Sequence, residues 1–275
     1  FYILGTTENK YPSLTGYVGE PTINIVIMIL IIVGGIGFLT WDDICTNRWH
    51  FKKYRMQSKV ILVTSVILII VPAIFFFLFD FTGLPPGEKI LASLFQSVTP
   101  RTAGFNTSDL TAMTESSKAI MILLMLVGGS PGSTAGGIKT TTLAVLILNA
   151  FSVCRKKNDT EVYGRRLECS AVKSASTIAV IYFLLFFIGG IIISTAESMP
   201  LSACLYETAS AVGTVGLTLG VTPQLSVFSQ FILIVLMYLG RVGGLTLIYA
   251  AISNKNQSGA KLPLEKITVG SVSYT

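Results

Sequence analysis

Thr102-Ala103-Gly104-Phe105 and Thr214-Val215-Gly216-Leu217 are the two stretches on which the fold turns. Each follows a long apolar segment and then a short one, and each precedes a second long apolar segment. A shift of 112 positions relates Gly104 to Gly216. The same shift carries Met125-Leu126-Val127-Gly128 onto Met237-Tyr238-Leu239-Gly240. The order is helix, half-helix, glycine loop, helix, written twice. That order lets a chain line a membrane pore with backbone carbonyls, the arrangement of a cation pathway.

The rest of the sequence agrees with a membrane setting. The 275 residues are 51% hydrophobic and only 12% charged, against about 25% charged in a soluble domain. Val60 to Phe79 and Ser174 to Thr195 carry no charge at all, and about 20 apolar helical residues cross a bilayer core. Both are predicted to span it. The net charge is +6, but its placement tells against nucleic acid. One basic group is Arg48, Lys52, Lys53, Arg55 and Lys59; a second is Arg155, Lys156, Lys157, Arg165, Arg166 and Lys173; Lys255, Lys261 and Lys266 follow the last span. Thr195 to Gly240 contains no Lys or Arg. This asymmetry predicts basic loops and a C-terminus on the cytoplasmic side of a multi-pass protein of the cell membrane, with weak contact to anionic lipid. Cys45, Cys154, Cys169 and Cys204 show neither paired spacing nor histidine partners, so neither disulfide nor metal site is expected.

Four stretches follow along the chain. Residues 1–20 are polar and turn-rich and are expected outside; the opening Phe1-Tyr2-Ile3-Leu4 reads as the middle of a longer protein. Residues 21–57 hold one outside-to-inside helix, Ile23 to Leu39, and a basic loop. Residues 58–168 form the first complete unit. Pro72 predicts a kink in its first span. Ile90 to Val98 is too short to cross and fits a re-entrant half-helix. Residues 169–275 form the second unit, with a short helix Leu201–Val212, a returning span Phe228–Ile252 and a polar tail.

A cation entering such a pore loses water and must be offered oxygen, which rings of carbonyls supply. Glycine permits the backbone this requires, and a half-helix whose C-terminus faces the pore adds negative potential. Thr102, Ala103, Gly104 and Phe105, with Thr214, Val215, Gly216 and Leu217, are therefore the candidate filter. Thr99, Thr102 and Thr214 are placed to orient the loops or to offer hydroxyl oxygen. Between the spans, Gly128, Gly129, Ser130, Pro131, Gly132, Ser133, Thr134, Ala135, Gly136 and Gly137 cannot be ordinary helix, and irregular backbone at membrane depth is tolerated only where protein buries it or water wets it. Arg241, in Gly240-Arg241-Val242-Gly243-Gly244, is too deep for easy snorkelling and calls for an interior partner. Its guanidinium is suited to the freed carbonyls of 128–137, and a fixed charge below the filter would impede cations. It reads as a gate, a structural staple, or both. Two readings stay open for Lys139 (inner vestibule or snorkelling), for Arg101 (loop buttress or solvent) and for Glu207 (buried stabiliser or outer vestibule). Asp42-Asp43 read as a solvated helix end and His50 as inert. Gly132 to Thr140 imitates a phosphate-binding loop, but Ile138 interrupts the motif and the flanks are apolar helices.

The run Ser97-Val98-Thr99-Pro100-Arg101-Thr102-Ala103-Gly104-Phe105-Asn106-Thr107, the loop Gly128–Gly137 with Ile138-Lys139, and Gly240-Arg241-Val242-Gly243-Gly244 together resemble the Trk/Ktr/HKT superfamily of potassium transporters, above all the membrane subunits of bacterial Ktr and Trk systems. The resemblance covers nearly the whole chain. It implies an all-α transmembrane fold of four helix–pore loop–helix repeats around one central pore, of which this chain holds the last helix of the second repeat and all of the third and fourth. It implies potassium in a filter at Gly104 and Gly216, a gating loop at 128–137 with Arg241 as its partner, a homodimer, and a cytosolic nucleotide-binding regulatory ring. No cofactor and no enzymatic activity are expected. The rival reading is a secondary transporter with a midplane substrate site formed by broken helices; a membrane-bound NTPase is disfavoured by the failed phosphate loop.

Overall fold

The structure, a computed structural model, describes residues 13–48, 50–157 and 159–243. Nine α-helices and one short hairpin make up these residues: α1 Pro21–Ile36, α2 Phe38–Asn47, α3 Met56–Phe79, α4 Pro86–Val98, α5 Glu115–Leu126, α6 Thr140–Cys154, β1 Glu161–Val162, β2 Arg165–Arg166, α7 Cys169–Glu197, α8 Leu201–Val212 and α9 Val227–Val242. The expected reach of the last span to Ile252, the polar tail with Lys255, Lys261 and Lys266, and the first twelve residues lie outside the described residues.

Two runs of elements follow the same order. In the first, the 24-residue α3 leads to the 13-residue half-helix α4, the first glycine loop and α5. In the second, the 29-residue α7 leads to the 12-residue half-helix α8, the second glycine loop and α9. α3 and α7 are long and apolar enough to cross a membrane. Both present Val, Ile, Leu and Phe outward, among them Val66, Ile67, Val71, Phe183, Leu184 and Ile188, a surface that water would not tolerate over such an area. Proline starts both half-helices, Pro86 within the first turn of α4 and Pro200 at the N-cap of α8, where its missing N–H is no loss.

Matched acids lock the units together. Asp80, just past α3, accepts the Thr114 amide at 3.1 Å and the Ser117 hydroxyl. Glu197, the last residue of α7, accepts the Ser226 amide at 3.0 Å and the Ser226 and Ser229 hydroxyls. Thr114 and Ser226 are the N-caps of α5 and α9. Each acid thus binds the end of its unit's first helix to the start of its last, where a negative charge also suits the helix dipole. The main core lies between these helices, with Phe76, Met121, Met125, Tyr182, Phe186, Ile193, Tyr206, Val212 and Leu233 buried together. A smaller cluster of Leu14, Met28, Phe95 and Val98 seats α1 against the first half-helix.

Two sequence expectations change. The run Ile23–Leu39 is not one straight helix: it breaks at Gly37, and α2 departs at 99° from α1. The break lets the amide of Phe38 donate to Gly132 O at 3.2 Å and Gly35 O accept from Ser130 N–H at 2.9 Å, so contacts with the distant glycine-rich loop override local helix propensity. Asp43 is not solvated. It is buried, accepts the Arg55 amide at 3.1 Å and the Ser58 hydroxyl, and so caps the start of α3; its neighbour Asp42 stays exposed in an ion pair with Arg55 at 3.2 Å.

Candidate functional site

The two glycine loops have one backbone. Thr102 and Thr214 are left-handed, with φ of 58° and 51°, and two residues on Gly104 and Gly216 follow at 73° and 92°. A threonine accepts that region only when its surroundings impose it, so the same irregularity at positions related by sequence repeat marks one structural device used twice. The loops also meet. A Cβ on Gly104 would lie 2.2 Å from the carbonyl oxygen of Val215, an approach that glycine alone allows. The side chains of Val215 and Leu217 go into the core, whereas Gly216 is exposed.

Each loop is fixed from its half-helix. The Thr99 hydroxyl donates to Phe105 O. In the second loop Val215 N–H donates to Ser210 O at 2.8 Å, and Gly216 N–H to Ser210 Oγ at 3.1 Å. Arg101 turns inward: it is buried and donates to Ser65 O on α3 at 3.1 Å, the buttress reading. Glu207 is buried in α8 and accepts the Thr218 hydroxyl at 2.7 Å, the Leu219 amide at 3.0 Å and the Thr222 hydroxyl at 2.6 Å, the stabiliser reading. The Thr214 hydroxyl is buried and has no hydrogen-bond partner among the described residues.

The glycine-rich loop lies against these elements. Val127 and Ile138 form a parallel bridge, with Gly128 N–H to Ile138 O at 2.9 Å and Ile138 N–H to Leu126 O at 3.0 Å. The loop so pinched off meets the break between α1 and α2 through Gly35 and Phe38, and the last turn of α9 through Gly137 N–H to Gly240 O at 3.3 Å. Arg241 donates to Thr134 O and Lys139 to Ala135 O. A Cβ on Gly136 would lie 2.2 Å from Thr214 Oγ1, so this loop touches the second glycine loop directly. A cavity of about 360 Å³ runs between the first glycine loop and the glycine-rich loop, walled by Ile31, Gly35, Thr102, Ala103, Thr134 and Ala135 among others.

The structure therefore brings the predicted residues of both glycine loops, the loop 128–137 and Arg241 into one region. Five residues escaped the sequence: Gly35 and Phe38 at the α1 break, Tyr182, whose hydroxyl donates to Gly240 O at 3.3 Å, and the acid clamps Asp80 and Glu197. The clamps had a signal, since Thr114-x-x-Ser117 and Ser226-x-x-Ser229 recur at the 112-residue shift. No group of three or more His, Cys, Asp or Glu able to hold a metal occurs among the described residues.

Two helices long and apolar enough to cross a membrane, each followed by a short helix, a left-handed Thr-x-Gly loop and a further helix, define a class of helical protein with a repeated helix–short helix–loop–helix order. Comparison with known proteins narrows this class. The model of the TrkH family, described as cation transport protein, matches residues 4–259. Ktr system potassium uptake protein B of Bacillus subtilis is 35% identical over 266 residues, covering 94% of this chain and 59% of that protein. Potassium/sodium uptake protein NtpJ of Enterococcus hirae is 36% identical over 256 residues, covering 89% and 56%. The crystal structure of the potassium transporter TrkH from Vibrio parahaemolyticus matches with a TM-score of 0.71 at 20% identity, over 88% of this chain and 54% of that one; that likeness speaks for the fold. The chain belongs to the TrkH family of cation transport proteins and spans somewhat more than half the length of these relatives.

Proposed function

We propose that the full-length protein takes up potassium, or monovalent cations more broadly, across the cytoplasmic membrane. The relatives are named for potassium uptake and for potassium/sodium uptake. On this reading the carbonyls of residues 102–105 and 214–217 form two walls of a selectivity filter, and potassium binds at Gly104 and Gly216. Residues 21–57, 58–168 and 169–275 supply the last helix of a second repeat and the third and fourth repeats. Further repeats outside this sequence close the ring. The basic loops face the cytoplasm, where a regulatory ring docks, and two copies pair as a homodimer.

The observation that carries the proposal is the doubled loop. Two half-helices end at two backbones with the same left-handed Thr-x-Gly, in contact at Gly104 and Val215. Half-helix C-termini give negative potential where these carbonyls are presented, and a carbonyl cage replaces hydration without trapping the ion. Residues 128–137 are the gate, because they lie against Thr214 and are tied by Arg241. One observation favours the rival, a midplane substrate site: the cavity beside the broken helix α1.

The test is potassium and sodium flux into liposomes holding the full-length protein, with Gly104→Ala and Gly216→Ala alongside. Potassium-preferring flux that loses its preference in both variants is expected. Flux indifferent to both glycines would make the midplane transporter the leading account.

A further inference from the structure

The two glycine loops share a backbone but are held differently where the chain leaves them. In the second loop the anchor is Glu207, nine residues before Gly216, which accepts the Thr218 hydroxyl and the Leu219 amide. Nine residues before Gly104 the half-helix has Phe95 instead, whose side chain has no acceptor. The first loop takes its anchor from another part of the chain. Asn106 stands two residues past Gly104, as Thr218 does past Gly216. Its amide donates to Ser13 Oγ at 3.2 Å, and its carbonyl accepts from the Leu14 amide at 3.0 Å. Leu14 is buried with Phe95 and Val98 of the half-helix, and Phe105 packs against them. Ser13 is left-handed, with φ of 60°, a conformation that serine keeps only when its surroundings impose it. The strap formed by residues 13–20 is itself pinned to α1. Asn24, fully buried in α1, donates through its carboxamide to Tyr17 O at 2.9 Å and Glu20 O at 2.8 Å. Tyr17 N–H in turn donates to Leu14 O at 2.9 Å, so an unbroken series of hydrogen bonds joins Asn24 to Asn106.

We propose that Ser13, Leu14 and Asn24 are positioning residues for the ion preference of the first glycine loop. The strap does for residues 102–105 what the Glu207 carboxylate does for 214–217. This rests on reading both loops as a filter. Ion preference depends on how many carbonyls reach the ion and on where they are held. The strap fixes the chain just beyond Gly104. With it released, the carbonyls of 103–105 lose that fixed point and close in on a smaller ion. None of the three side chains touches the ion; Asn24 acts through the strap, and the strap acts through Asn106.

The experiment is potassium and sodium flux in liposomes of the full-length protein carrying Ser13→Ala, Leu14→Ala, Leu14→Met, Asn24→Leu, Asp43→Ala or Gly104→Ala. Tm and the hydrogen exchange of the peptide containing Asn106 are read beside it in detergent. Ser13→Ala, Leu14→Ala and Asn24→Leu are expected to lower the potassium/sodium flux ratio several-fold and to speed exchange at Asn106. Leu14→Met keeps the backbone donor and nearly the same volume and is expected to keep the parental ratio. Asp43→Ala removes a buried cap at the other end of α3. It is expected to lower Tm with the ratio unchanged, which separates positioning from loss of stability. A fall in ratio with Asp43→Ala as large as with Leu14→Ala overturns the proposal. So does a parental ratio in a Ser13→Ala protein whose Asn106 exchanges faster. If Leu14→Ala or Asn24→Leu does not fold, Ser13→Ala carries the test, since it removes one hydroxyl from a half-buried position. Parental ratios in all the strap variants, with preference lost in Gly104→Ala, would remove the strap and leave the filter reading intact. A parental ratio in Gly104→Ala as well would remove the filter reading and this proposal with it.

Discussion

Glu207 shows what one buried side chain does for the site. Its carboxylate accepts from Thr218, Leu219 and Thr222, so the strand of chain leaving Gly216 is held to the half-helix that enters the loop. A carboxylate can accept all three donors, whereas a carboxamide has one acceptor oxygen and turns its NH₂ toward the rest. Glu207→Gln is expected to destabilise the protein by about 1–3 kcal/mol, read as a lower Tm in detergent. An unchanged Tm would mean that 218–222 is held by something else. The sequence named Glu207 yet left its role open, because its donors lie in a loop with no periodicity to announce them. Arg101 is the same case: its acceptor is the carbonyl of Ser65, on a helix that precedes it by 36 residues. The glycine loops were legible for the opposite reason. Left-handed backbone must be written as glycine or imposed on neighbours, and the chain writes it twice at one spacing.

Among the elements, long apolar runs and proline starts located α3, α4, α7 and α8 within a few residues. The break after α1 is not legible in the sequence, since Gly34, Gly35 and Gly37 fit a continuous apolar run and the hydrogen bonds that hold the bend come from the distant loop 128–137. The acid clamps act at this scale too. Asp80 is buried, 6% exposed, and accepts two donors from the start of α5. Asp80→Ala strands both donors and is expected to destabilise by about 2 kcal/mol. Glu197 does the same for α9 from a more open position, so water can replace it and Glu197→Ala should lower Tm less. Thermal unfolding of the two variants side by side checks the order. The reverse order would show that burial does not set the strength of these clamps.

The whole molecule has two ends, and the position of the basic loops defines one of them. Lys59 Nζ lies 6.0 Å from the Phe51 ring and 5.7 Å from the Tyr163 ring. Phe51 belongs to the basic connection between α2 and α3, and Tyr163 to the hairpin between α6 and α7, so both basic connections gather at one end. From there α3 and α7 run for 24 and 29 residues, roughly 36 and 44 Å at about 1.5 Å per residue. That is enough to pass a hydrocarbon core of about 30 Å and to set Asp80, Glu197 and the turns into the half-helices on the far side. On the proposed orientation, which rests on charge asymmetry, the basic end is cytoplasmic. Three free cysteines, Cys45, Cys154 and Cys169, are exposed, and Cys204 is buried. Cys154 ends α6 and Cys169 begins α7, on either side of the basic hairpin. A full-length protein keeping Cys169 alone, its other cysteines replaced by serine, should react with a membrane-impermeant maleimide in inside-out vesicles and not in right-side-out ones. A serine at 169 should abolish the signal, and a protein keeping Cys204 alone should stay unlabelled from both sides. Labelling of Cys169 from the outer face would invert the orientation, put the glycine loops at the cytoplasmic mouth, and remove the basis for docking a cytosolic regulator on the basic loops.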